Sequence, residues 1–189
     1  GSHELALAYL ESALEVTTDA AEGAELHLRA AASADARVDS DQAVYHFRRA
    51  IEQWRQLGDR TAELGATVAL ARSLGSAYRL DESATILEPA VDAFADLAGT
   101  EEAVALLGEL GRIEMLREHP AASIPLVDRA LVDAEALARR PAIADLLITK
   151  GVDLGNLGRA VEGRALLEAG IRIADEDGLV LTGLRGRIN

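Results

Sequence analysis

The sequence contains no cysteine, a single lysine (Lys150), four prolines and only 3% aromatic residues. Without cysteine there is no disulfide framework and no thiolate-bound metal. No run approaches the roughly 18 consecutive apolar residues that a membrane-crossing helix needs, so the cytoplasm is the expected compartment. The scarcity of aromatic and β-branched runs removes the usual material of strands. Cationic side chains are also few: 19 basic residues stand against 32 acidic ones, a formal net charge of −13. Phosphate backbones and anionic lipid surfaces both select basic proteins, so neither nucleic acid nor a membrane is an expected partner. The opening Gly1-Ser2-His3 reads as an expression-tag remnant and is set aside.

What remains is rich in alanine, leucine and glycine. A core of such residues suits helices packed closely enough for their backbones to approach, and the expected class is all-α. Internal repetition is the dominant signal. Ala50, Ala90, Ala130 and Gly170 stand 40 residues apart, each followed by an apolar or charged residue and then a helix-ending stretch such as Leu57-Gly58-Asp59 or Asp177-Gly178. Seven residues upstream lie Ala43, Ser83, Ser123 and Gly163, and nineteen upstream lie Ala31, Ala71, Gly111 and Gly151. All of these places hold Ala, Gly or Ser. Larger apolar residues keep the same period, with Phe47, Leu87, Val127 and Leu167 in one column and Ile51, Val91, Leu131 and Ile171 in another, four residues along the same helical face.

On these three columns of small residues the chain resembles the tetratricopeptide repeat (TPR) family, which keeps small residues where the two helices of each repeat touch. The resemblance covers about residues 22 to 189. It implies a right-handed α-α superhelix of about four repeats (24–63, 64–103, 104–143 and 144–183) with a partial helix at each end, so that 4–189 is a single repeat domain. The period is longer than the family's common one, and the family's large aromatic first-helix positions hold His27, Thr67, Ala34 and Glu114. Longer repeats of this kind resemble those of multidomain bacterial signalling and regulatory proteins, among them ATPase-linked regulators and nucleotide cyclases. Apolar Val180, Leu181 and Leu184 near the end, where a polar cap is usual, give the expectation of a fragment of a longer array.

Capping chemistry sets the boundaries. Ser40-Asp41-Gln42, Asp81-Glu82 and Thr100-Glu101-Glu102 place oxygen acceptors and acids at helix starts. Pro120 and Pro141 suit a first turn, and Gly58, Gly99 and Gly178 suit the left-handed residue that ends a helix. Helices are expected over 4–16, 22–37, 41–57, 61–77, 82–97, 101–117, 121–138, 142–157 and 161–176, with a last one beginning near 180. Pro89 and Pro125 fall inside second helices and should bend them.

No constellation of catalytic or metal-binding residues emerges. His3, His27, His46 and His119 are scattered, and none has the helical partner spacing of a zinc site. Asp39 with Asp41, and Asp175-Glu176-Asp177, sit at helix ends, where capping and solvation explain them. Gly151, Gly155 and Gly158 fall in an expected helix with no preceding strand, which excludes a phosphate loop and assigns them to helix packing. The chain is therefore expected to be no enzyme and to hold no cofactor and no metal.

The family resemblance implies a concave wall lined by first helices. The positions flanking the small first-helix column place Arg29, Arg72, Arg112, Met115, Asp145, Ile148, Val152 and Asn156 on it. Arg72 and Arg112 occupy one register in adjacent repeats and could bridge an acidic peptide or carboxylate, or pair instead with acids such as Glu109 and Glu114. The family's carboxylate clamp for chaperone tails is absent, since Leu28, Ala32, Val68 and Gly108 hold its places. The expected function is a protein-interaction or scaffold module that binds a peptide, a protein domain, its own chain or a second copy. The alternative is a small-ligand sensor controlling an attached ATPase, cyclase or transcriptional domain.

Overall fold

The computed structural model describes residues 2–189, and among them every regular element is helical. The α-helices are α1 (Ser2–Val16), α2 (Ala20–Asp35), α3 (Ser40–Leu57), α4 (Arg60–Ser76), α5 (Leu80–Ala93), α6 (Glu101–Leu116), α7 (Pro120–Ala136), α8 (Arg140–Asn156), α9 (Ala160–Glu176) and α10 (Val180–Ile188). They fall into two compact units that part after Phe94.

Helix starts are fixed by side-chain acceptors where the sequence supplies them. Asp19, Asp39, Asp59 and Thr100 are the N-caps of α2, α3, α4 and α6, each accepting from the backbone N–H three residues on. Such a cap stabilises a helix by about 1 kcal/mol. The cap of α3 is thus Asp39 and not Ser40. At α5 the cap position is Arg79, which makes no side-chain cap, while Asp81 and Glu82 act through the helix dipole from the first turn. Pro120 and Pro141 sit in the first turns of α7 and α8, as their missing N–H requires.

Helix ends form two columns. Gly58, Gly99 and Gly178 take left-handed φ values of 73°, 80° and 69° after second helices, as expected, and Ala138 takes 53°. First helices end in the same way, at Val38 (61°), Tyr78 (57°), Glu118 (62°) and Gly158 (79°). Gly158 is therefore a terminator lying past the end of α8, not an interhelical contact within it.

Unit 1 contains α1 to α5. Its core is built from Leu7, Ala24, Ala30, Ala31, Ala34, Ala43, Phe47, Ala50, Trp54, Leu70 and Leu74, and α3 packs between α2 and α4. Helix α5 runs through Pro89 but stops at Ala93, short of the expected residue 97, and a 3-10 turn spans Ala95–Leu97. Arg60 docks against this helix end. Its Nη2 donates to the Ala93 carbonyl, one of the C=O groups left open at a helix end, and its guanidinium lies 4.7 Å from the Phe94 ring centroid.

Unit 2 contains α6 to α10, with α7 between α6 and α8 and α9 between α8 and α10. Leu107, Leu110, Ile113, Val127, Ala130, Ala144, Leu146, Ile148 and Leu154 are buried there. Each fully buried Leu or Ile contributes roughly 1.5–3 kcal/mol.

The twelve small residues on which the repeat rests are all buried. In two of the pairs the contact is a hydrogen bond: the Ser83 hydroxyl donates to the Ala71 carbonyl at 2.9 Å, and the Ser123 hydroxyl to the Gly111 carbonyl at 2.8 Å. In the last pair it is bare backbone. A Cβ on Gly163 would lie 2.6 Å from the Gly151 carbonyl oxygen and 2.9 Å from the Gly155 nitrogen, and one on Gly170 would lie 2.8 Å from the Ala144 carbonyl oxygen. Only glycine allows α8 and α9 this approach.

Candidate interaction surface

In unit 2 the first helices α6 and α8 touch directly, and so do α8 and α10. They form a continuous helical wall whose polar residues are largely paired with one another. On α6, Arg112 holds Glu109, with Nη2 donating at 2.5 Å and Nε at 3.2 Å. The Glu109 carboxylate is buried while Arg112 is partly open. From α10, Arg185 reaches α8, donating to the Asp145 carbonyl oxygen at 2.6 Å, and it lies 3.3 Å from both the Asp145 carboxylate and the Thr149 hydroxyl. Burial lowers the Arg185 pKa, with Asp145 acting in the opposite direction.

Arg185 was missed in the sequence reading of the wall, although it stands 40 residues after Asp145, in the same register. Its place in the final helix, α10, hid it.

The expected wall residues divide by exposure. Arg29 on α2 and Arg72 on α4 are exposed in unit 1, and Asp145 and Asn156 are exposed on α8 in unit 2. Val152 is half-buried. Met115 and Ile148 are buried in the core of unit 2, so neither offers its side chain to a partner. For Ile148 the cause is visible: Cβ atoms built on Gly170 of α9 and Gly186 of α10 would lie 2.8 and 3.0 Å from its side-chain carbons, so it fills the space those two glycines leave. Of the two acids expected to compete for arginine, Glu109 takes Arg112. Glu114 is held by Arg117 at 2.6 Å and by His119 at 2.9 Å.

The helix-end carboxylates are tied up as well. Asp39 caps α3, Asp41 meets Arg79 at 3.2 Å, Asp175 meets Arg187 at 2.6 Å, and Arg140 joins Glu176 (2.7 Å) to Asp177 (3.0 Å). No group of three or more potential metal ligands occurs among the described residues. Nor is any helix among them long and apolar enough to cross a membrane. The histidines depart from the expectation of isolation: His27 and His46 meet with their Nδ1 atoms 2.9 Å apart. A signal for this was present. His27 lies four residues before Ala31 and His46 three after Ala43, one turn each from the contact of an antiparallel helix pair.

Helix pairs in this register, locked by small residues and ended by left-handed turns, define a TPR-like helical repeat fold, and the solved structures agree. The chain is similar to BtubC (BKLC) from P. vanneervenii, with a TM-score of 0.77 at 16% identity over 93% of this chain and 75% of that one. It is also similar to a putative kinesin light chain from P. anserina with nearly identical TPR-like repeats, with a TM-score of 0.67 at 16% identity over 93% of this chain and 94% of that one. A single-residue variant of the latter gives 0.66 over the same shares. At this identity the likeness is one of fold. No protein-family model matches the chain, and no curated protein does.

Proposed function

We propose that the chain is a non-catalytic interaction module that binds an acidic peptide segment through exposed arginines on its first helices α2 and α4. The observation that carries this reading is the placement of exposed Arg29 and Arg72 on α2 and α4, successive first helices of one compact unit. Guanidinium groups recognise carboxylates through paired charge-assisted hydrogen bonds. In unit 2, Arg112, Asp145 and Asn156 stand on the first helices α6 and α8, and Arg112 pairs with Glu109. The TPR-like fold supports a scaffold role in general terms, since stacked helix pairs present extended surfaces. The cytoplasm of a bacterium, within a larger regulatory protein, is the setting that fits this reading.

The test uses fluorescent Asp/Glu-rich peptides and the intact chain at low ionic strength. Arg29→Glu with Arg72→Glu should weaken binding at least about tenfold, roughly 1.4 kcal/mol, while leaving the helical circular dichroism unchanged. Equal affinity for the altered and unaltered chains would remove these arginines from consideration. Arg112→Glu is a poorer probe, because it strands the buried Glu109 and confounds binding with stability.

A further inference from the structure

One polar contact in unit 1 breaks the pattern of the array. His27 on α2 is 7% exposed and His46 on α3 is 2% exposed, and their Nδ1 atoms lie 2.9 Å apart. In the corresponding places of the later repeats stand Thr67 with Ile86, Leu107 with Leu126, and Leu147 with Leu166. Where those repeats have side chains that do not titrate, the first has a hydrogen bond between two titratable rings. We propose that the His27–His46 pair is an acid-sensitive latch that closes helices α1 to α3 at neutral pH and releases them when a second proton arrives.

The proton count follows from the geometry. Two Nδ1 atoms at this distance share one hydrogen, so one ring donates and the other accepts. The far nitrogen of His46, Nε2, has no hydrogen-bond partner and lies 3.8 Å from Glu11 Oε1 on α1. With His46 as donor, a first proton settles on Nε2, faces the Glu11 carboxylate and leaves the Nδ1 bond intact. A second proton can only go to the accepting Nδ1 of His27. Two N–H groups then point at each other inside the helix pair, and the contact opens.

The surroundings set the direction. Burial chiefly holds His27 down, from the usual 6.5 to about 4, with the charges of His46 and Arg49 of α3 adding to it. Burial also lowers His46, against Glu11, which raises it. The Tyr45 ring of α3 stands edge-on to both imidazoles, at 6.4 and 5.1 Å. A histidine held neutral in the closed state takes up its proton on opening. Closure therefore weakens as pH falls below the open-state value of 6.5 and goes on weakening to about 4. Most of that window lies above the carboxylate range, so the 32 acidic residues do not mask it.

The experiment is amide hydrogen exchange on the intact chain, corrected for intrinsic rates, at about pH 7.5 and about pH 5. From His27 alone the opening equilibrium of α1–α3 should rise about 30-fold between these conditions, with protection in α6–α9 little changed. The double variant His27→Leu, His46→Leu copies the residues of the third repeat, Leu107 and Leu126, and should abolish the difference. If it fails to fold, nitrogen NMR of the imidazoles in the unaltered chain decides: one protonated and one bare Nδ1 at neutral pH, and a His27 titration well below 6.5, are required. The latch is overturned if both rings titrate freely near the ordinary histidine value, or if the unaltered chain and the double variant lose protection alike.

Discussion

At the scale of single residues, two positions carry an avoidable cost. Asp153 on α8 is wholly buried, and neither of its carboxylate oxygens has a hydrogen-bond partner among the described residues. Burial raises its pKa above 3.8, with a smaller opposing influence from Ser123. The same register holds Ser33, Ser73 and Ile113 in the other repeats, and Ser33 satisfies itself by donating to the Arg29 carbonyl four residues back. Asp153→Ser should therefore stabilise the chain at neutral pH by about 1–3 kcal/mol. The sign with pH is fixed, because the folded state keeps a proton that the unfolded state has released. Stability of the unaltered chain falls as pH rises above 3.8 toward the raised folded value, and the gain from serine vanishes below it. Urea midpoints of the two chains at about pH 7 and about pH 3.5 check both parts. The second position is Val38, a β-branched residue at φ 61° with 91% of its surface exposed. Its side chain has almost no packing to lose, while left-handed backbone costs an L-residue about 1–2 kcal/mol. Val38→Gly should raise stability by about 0.5–1 kcal/mol after the added chain entropy of glycine, read as a shift of urea midpoint at unchanged slope.

At the scale of helices, the glycines separate contact from tolerance. A Cβ on Gly163 runs into the backbone of Gly151 and Gly155, which cannot move aside as a side-chain tip can, whereas one on Gly65 or Gly155 meets nothing within 4 Å. Gly163→Ala should cost about 1–3 kcal/mol through forced separation of α8 and α9, and Gly65→Ala should gain about 0.5–1 kcal/mol from helix propensity. Opposite shifts of midpoint for the same chemical change would confirm that backbone approach, and not glycine content, organises the array. The small-residue columns were legible in the sequence for this reason: a backbone contact tolerates so few residue types that the period shows even where everything else diverges. The first-helix terminators were illegible because Val38, Tyr78 and Glu118 stand where only Gly158 advertises the left-handed turn. In the candidate site, register found exposed Arg29, Arg72, Asp145 and Asn156 but could not tell a wall position from a buried one at Met115 and Ile148. The latter depends on how much room glycines in the neighbouring helices leave. The histidine pair was hidden differently, since it lies across two helices, and spacing along the chain reveals it only once their antiparallel contact is fixed.

At the scale of the whole chain, the described helices of each unit pack chiefly on those next to them in sequence, with α6–α8 and α8–α10 as the further contacts within unit 2. Stability in such an array is a sum of local units and nearest-neighbour terms. In a single globular core any core mutation lowers the protection of every globally protected amide by the same amount. An array of two compact units should behave otherwise, and Gly163→Ala provides the test because its damage falls at the α8–α9 contact in unit 2. Hydrogen exchange at neutral pH, where the histidine latch is closed, should show amides of α7 to α9 losing protection by about tenfold or more, equivalent to roughly 1.4 kcal/mol of opening free energy. Amides of α2 to α4 should change by less than about twofold. The same experiment on Val38→Gly should give the mirror result, with gains confined to unit 1. If protection in both units fell together in Gly163→Ala, the two units would fold as one cooperative body, and an acid-triggered opening at α1–α3 would then have to spread through the entire chain.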